Sequence, residues 1–276
     1  MDQEFFQKIM DLLVNLWNAE PSFYREKYAW AGFTENNLKT INPVSFKTLP
    51  LVTKNELAET RYRDRIYEEK SGLNKLVFSE EANTYFLIHR TLEEIRGDAL
   101  PVKGERPMVI LSNVYEAIEG CLFFYENGTL PLIGEIYNPA VIYSSARQYQ
   151  IDTLFIDHAS ILKLRKELLA QPIKIRHVTI IDSSFYTEDL DWPENIEKTF
   201  VFSIPEFGRI AYACQEFLQK KELILHPYDD VYIEPSALSI LTSTRLKACP
   251  MIRYQSAVYI EQADARCNCG KTAFKI

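Results

Sequence analysis

Apolar residues recur at helical spacing at the start of the chain. Phe5, Phe6, Ile9, Met10, Leu13, Leu16 and Trp17 fall on one face, which predicts an amphipathic helix over 4–17. A second helix is expected from Ser22 onward and ends at Gly32, a residue that accepts the left-handed turn after a helix. At Thr53-Lys54-Asn55-Glu56 a hydroxyl with a carboxylate three residues on gives the capping-box pattern that opens another helix. Beyond about residue 100 the period changes. Near-continuous apolar runs at 108–111, 130–133, 152–157 and 177–182 alternate with helical stretches at 114–125, 144–150 and 160–170. That alternation predicts a parallel sheet covered on both faces. From Leu223 the texture becomes short strands without helices, at 223–226, 231–234, 238–242, 251–254 and 257–261, which predicts an antiparallel β subdomain. Internal repeats and low-complexity tracts are absent from the sequence.

Composition narrows the function classes. With 276 residues, 47% apolar and 25% charged, the chain can bury a sizeable core. Glycine is scarce, at 9 residues, and glycine is what builds phosphate-cradling loops. The net charge of −7 comes without any basic block, so neither nucleic acid nor an anionic membrane is expected as a partner. The opening Met1-Asp2-Gln3-Glu4 has no positive region of a signal peptide, and no apolar run reaches membrane-spanning length. Five cysteines, an odd number, fit a reducing compartment, and a cytoplasmic location is expected.

Two stretches carry a resemblance. Phe23-Tyr24-Arg25 with Ala31-Gly32, followed by Leu49-Pro50-Leu51-Val52-Thr53-Lys54-Asn55-Glu56-Leu57, resembles the N-terminal region of phenylacetate–coenzyme A ligases, within the adenylate-forming superfamily. Weaker correspondences run to the tail. The resemblance implies an α/β fold: the large N-terminal domain of an adenylate-forming enzyme, mostly parallel sheet flanked by helices, plus a C-terminal antiparallel β subdomain. One such domain is expected over 1–276, comprising a helical region with a degenerate phosphate-loop segment (1–98), an α/β layer (99–205) and a β subdomain with a zinc site (206–276). Relatives of this kind use ATP to convert a carboxylic acid to an acyl-adenylate and then pass the acyl group to a thiol.

The chain departs from that pattern where ATP would bind. The place of the Gly-Lys phosphate loop is taken by Val77-Phe78-Ser79-Glu80-Glu81-Ala82-Asn83-Thr84-Tyr85-Phe86, without glycine or lysine and with two carboxylates. Like charges at such range cost on the order of 1–4 kcal/mol, and the segment is expected to close as a β-hairpin. The adenine turn reads Ile181-Asp182-Ser183-Ser184-Phe185, an ordinary turn. Of the magnesium-binding motif only Glu206 is kept, within 199–208. Arg253 and Tyr254 match the strand that carries the ribose-binding Asp, but Val258 stands in that carboxylate's place. The small C-terminal lid domain with the catalytic lysine is also expected to be absent, since the chain stops at Ile276. ATP is therefore not expected as a cofactor, no catalytic residue is assigned, and Glu206, Arg253 and Tyr254 are expected to be relics of the cleft.

The resemblance further implies a structural zinc held by Cys214, His226, Cys267 and Cys269, a standard ligand set. Free thiols or a transient disulfide are the alternatives. Cys249, before Pro250, is expected to be a buried small residue, and Cys121 to belong to the core. His89, His158 and His177 are expected to be structural. The leading expectation is a catalytically inactive homologue acting as a binding or partner protein, with a carrier protein or an active ligase as its partner. The alternative is a divergent ligase or acyltransferase using a carboxylic acid or acyl-thioester in the same cleft. A third arrangement has a separate chain supplying the lid domain. The ligand and oligomeric state are not specified by the sequence.

Overall fold

The computed structural model describes residues 2–20, 23–98, 100, 103–134, 138–169, 174–185, 192–220, 222–264 and 268–276, without the side chains of 167–169. In chain order, helices α1 (Gln3–Asn18), α2 (Phe23–Trp30), α3 (Glu35–Lys39) and α4 (Lys54–Glu59) precede strands β1 (Gly72–Ser79) and β2 (Thr84–Thr91). The middle of the chain is α5 (Leu92–Arg96), β3 (Pro107–Ile110), α6 (Val114–Glu126), β4 (Leu132–Ile133), α7 (Pro139–Gln148), β5 (Thr153–Ile156), α8 (His158–Leu169) and β6 (His177–Asp182). Then come β7 (Glu197–Ile204), β8 (Gly208–Ala213), α9 (Gln215–Leu218), β9 (Leu225–Pro227), β10 (Val231–Glu234), β11 (Ile240–Ser243), β12 (Tyr254–Gln255), β13 (Glu261–Gln262) and β14 (Phe274–Lys275). These elements group into two compact units, one of residues 1–94, 227–262 and 276, the other of 95–226 and 263–275. The boundaries expected at 98/99 and 205/206 are not those of the units. Strands β10 to β12 group with the N-terminal helices instead of with 206–226.

In the first unit, α1 buries Phe5, Ile9, Met10, Leu13 and Leu16. The Asp2 carboxylate caps it by accepting from the Phe5 amide at 2.7 Å. The α2 helix closes through Gly32 at φ +85°, with the Phe33 amide returning to the Tyr28 carbonyl at 2.9 Å. The expected capping box is formed: Thr53 accepts from the Glu56 amide, and Glu56 accepts from the Thr53 amide at 2.9 Å. The segment in the phosphate loop's place is a closed antiparallel hairpin, with β1 and β2 in register from Gly72↔Thr91 to Ser79↔Thr84. Its turn uses Asn83 at φ +47°, a conformation asparagine tolerates better than most residues.

The strand expected over 251–254 is largely absent, because only Tyr254–Gln255 joins the sheet β10-β11-β12. Pro250 has no amide to give, and the Tyr24 hydroxyl does what a ladder would do. It donates to the Pro250 carbonyl at 2.8 Å and accepts from the Ile252 amide at 3.0 Å.

The second unit carries a mixed sheet in the order β14-β9-β8-β7-β6-β5-β3-β4. Strands β4, β3, β5, β6 and β7 are parallel neighbours, and β8 then runs antiparallel to β7. Both faces of β3 and β5 are buried at every position, as the unbroken apolar runs imply. Helix α7 starts five residues earlier than expected. Asn138 caps it and Pro139 takes the first helical position, a signal present in the sequence. Among the described residues no helix is long and apolar enough to cross a membrane.

Candidate functional site

In an open parallel sheet, ligands gather outside the carboxyl ends of the strands where successive connections leave in opposite directions. Here the chain moves from β3 to β4 on one side and to β5 and β6 on the other, so that point lies between β3 and β5. The chain's own carboxylates occupy it. Asp157, 5% exposed, follows β5 and accepts from the amide and the hydroxyl of Ser112, which follows β3, both at 2.5 Å. Its other oxygen accepts from the Ser160 amide in the first turn of α8 at 2.8 Å. One strand over, Asp182 ends β6 and accepts from the amides of His158 at 3.1 Å, Ser183 at 2.7 Å and Ser184 at 3.2 Å. Backbone amides facing outward from strand ends and helix starts are natural anion sites. At these positions the anion is built into the protein.

The three expected cleft residues do not all lie in one unit. Glu206 sits in the second, buried in the turn between β7 and β8. Arg253 and Tyr254 sit in the first, both buried. The Arg253 guanidinium is committed inside its own unit, donating from Nε to Glu234 Oε1 at 3.1 Å, from Nη2 to Glu234 Oε2 at 3.3 Å, and from Nη1 to the Leu49 carbonyl. Its backbone is at φ +51°, rare for a residue with a Cβ, and its amide donates to the Thr242 hydroxyl at 3.0 Å.

Three of the four expected metal ligands come together. The ligand atoms of Cys214, His226 and Cys269 lie within 4.8 Å of one another, with Cys214 and His226 buried and Cys269 exposed. Cys214 directly follows β8, and its amide donates to the Ile224 carbonyl at 2.8 Å. His226 is in β9. Cys269 is in the turn leading to β14, beside Gly270 at φ +70°. His226 Nδ1 lies 2.8 Å from the Thr272 carbonyl, which can only accept. Nδ1 therefore carries the proton, and the lone pair of the neutral ring is at Nε2, 3.2 Å from Cys269 Sγ. Cys267 lies outside the described residues. Cys269 is disulfide-bonded in the structure.

No family model and no curated protein matches the sequence. Among solved structures, the chain is similar to 2-hydroxyisobutyryl-CoA ligase in an open conformation with 2-HIB-AMP and CoA. The TM-score is 0.75 at 14% identity, covering 100% of this chain and 68% of that one. It is also similar to VinN (TM-score 0.53, 11% identity, 73% of this chain and 59% of that one). A third likeness is to o-succinylbenzoate CoA synthetase from Bacillus subtilis (TM-score 0.51, 12% identity, 63% and 40%). The chain has the fold of the N-terminal domain of an adenylate-forming ligase. At these identities the likeness is one of fold.

One further histidine and two further cysteines lie in packed surroundings. Buried His89 places Nδ1 2.7 Å from Asn74 Oδ1 and Nε2 2.9 Å from the Lys70 carbonyl. Cys249 is buried, 3.8 Å from Arg65 Nη1, and burial pushes its thiol up to about 11. Burial moves Cys121, half-buried on α6, to about 11 as well. The role of Asp157 was not read from the sequence. Its signal was an Asp closing an apolar strand three residues before a Ser, which also reads as a helix cap.

Proposed function

We propose that this chain is a catalytically inactive relative of the ligases whose fold it shares, acting as a binding or partner protein in an acyl-activation or biosynthetic pathway. The observation that carries this reading is the occupation of the strand-end amides by Asp157 and Asp182. A phosphate approaching them would meet fixed carboxylates and lose on the order of 1–4 kcal/mol to repulsion at contact range. The closed β1–β2 hairpin supports the same reading, since extended strands point successive amides to opposite sides and do not converge them on a phosphate as a glycine-rich loop does. A carrier protein or an active ligase fits as the partner. The test is acid-dependent exchange of pyrophosphate into Mg-ATP by the full chain, with a panel of aryl and alkyl acids. No exchange is expected. Exchange above background would overturn the proposal in favour of a divergent ligase.

A structural zinc is part of the proposal. In a tetrahedral site with ordinary bond lengths, sulfur and nitrogen ligands stand about 3.6 Å apart, close to the 3.2 Å between Cys269 Sγ and His226 Nε2. The Thr272 carbonyl fixes the tautomer such a metal needs. Cys214, His226 and Cys269 would hold the ion, with Cys267 as the fourth ligand. A sulfur in a disulfide cannot also be a thiolate ligand, so the metal-bound form is the reduced one. Elemental analysis of protein purified under reducing conditions should find one zinc per chain, lost in His226→Ala with a fall in Tm. Reduced protein that takes up no zinc would remove this part of the proposal.

A further inference from the structure

The opposite end of the same parallel strands has a different character. Arg106, Asp152 and Arg176 each immediately precede a strand, β3, β5 and β6 respectively. The parallel registers Pro107↔Thr153 and Thr153↔His177 put them in one row across the sheet. The row is fixed by the backbone: the Asp152 amide donates to the Arg106 carbonyl at 3.2 Å, and the Arg176 amide to the Asp152 carbonyl at 2.8 Å. Lys174 lies two residues before Arg176 with buried Ile175 between them, so the two cations share the side away from the core. Arg147, from the last turn of α7, completes the set. A cavity of about 430 Å³ is lined by these four cations, within the range of small-molecule sites.

The acids of this cavity do not cancel the cations. Among the described residues that line it, Glu105 and Asp152 are the carboxylates, so four positive charges against two negative leave +2, in a chain whose own net charge is −7. Asp152 is committed to holding the floor. It accepts from the Arg106 amide at 3.1 Å, the Glu105 amide at 3.2 Å and the Thr153 hydroxyl at 2.9 Å. Gly104, at φ +100°, allows that close wrap, since a Cβ there would stand 1.8 Å from Thr153 Oγ1. Arg106 is partly steered by Gln150, whose Oε1 accepts from Nη1 at 2.5 Å. Three guanidiniums at strand and helix ends, with the Lys174 ammonium in the segment leading to β6, suit a ligand with more than one anionic oxygen group.

We propose that this cleft is a binding site for a small phosphorylated solute, of the diphosphate class, separate from any acyl-activation site. Inorganic pyrophosphate is the probe, titrated calorimetrically into the full chain at fixed ionic strength. Saturable one-to-one binding is expected, weakened at least tenfold in Arg147→Ala/Arg176→Ala. Both side chains are exposed, so the variant should keep the wild-type circular dichroism and Tm. The same variant should abolish any heat from ATP binding through its phosphates, which separates this cleft from nucleotide bound elsewhere. Absence of saturable binding, or equal binding by the variant, would overturn the proposal. Citrate binding as tightly as pyrophosphate would overturn the phosphate assignment.

Discussion

The two ends of one parallel sheet show how similar backbone solutions acquire opposite electrostatics. At the carboxyl ends of β3, β5 and β6, Asp157 and Asp182 accept from amides of neighbouring connections and from the Ser112 hydroxyl. At the amino ends Asp152 binds two amides and a hydroxyl in the same manner. There, however, Arg106, Arg147, Lys174 and Arg176 line the adjoining cavity. In both places an aspartate closes the open backbone of the sheet. What differs is the side chains around it, so the fold alone does not say which end receives an anion. Ligase-like folds are expected to work at the carboxyl end, yet here the cationic lining is at the other.

The sharpest way to break the comparison is Asp157→Ala. The change leaves the buried Ser160 amide without its acceptor, while the Ser112 amide, on an exposed residue, can turn to water. One unsatisfied buried donor costs about 1–3 kcal/mol, so a loss on the order of 2 kcal/mol and a Tm fall of roughly 4–8 °C are expected, measured by thermal and urea unfolding. If the carboxylate is what excludes outside anions, inorganic phosphate should restore part of the lost Tm in the variant and do nothing comparable at this site in the wild type. A variant as stable as wild type would show that water satisfies those amides, and the contrast between the two ends would lose its basis.

How much of this was legible beforehand follows from the range of the interactions. Periodicity found α1, α6, β3, β5 and β6 because an apolar face or a buried strand is written locally. The Thr53 box and the Gly32 stop were equally local. The closed hairpin followed from missing glycine and lysine. The long-range features were not legible. Residues 251–254 read as a strand because the Tyr24 hydroxyl that replaces its ladder is some 226 positions away in sequence. Arg253 was singled out for the cleft, and its bond to Glu234 in the same unit could not be foreseen. The Cys214, His226 and Cys269 grouping came from the family resemblance, since ligands just after β8, on β9 and in the turn before β14 meet only through the sheet. The cationic row at 106, 147, 174 and 176 was invisible because its members are scattered over 71 positions and the net charge is negative.

A smaller effect sharpens the comparison at the amino end. Burial pushes the Asp152 carboxyl up, but the Arg106 and Glu105 amides, the Thr153 hydroxyl and nearby His177 pull harder, so it titrates below the usual carboxylate range. A folded-state pKa below the unfolded one stabilises fully above the ordinary carboxylate range, and that stability is lost as pH falls through the folded value. Asp152→Asn should therefore cost about 1 kcal/mol near neutrality, with the gap to wild type closing as urea unfolding is repeated down to about pH 3. A gap that stays constant with pH would mean the side chain acts by shape and not by charge. The substitution also takes the cleft from +2 to +3, and one charge about 7 Å from a ligand in water-like surroundings amounts to roughly a threefold gain. Pyrophosphate should accordingly bind Asp152→Asn about three times more tightly while the variant is less stable. Only a carboxylate that braces the sheet and also opposes the ligand predicts those two opposite signs together.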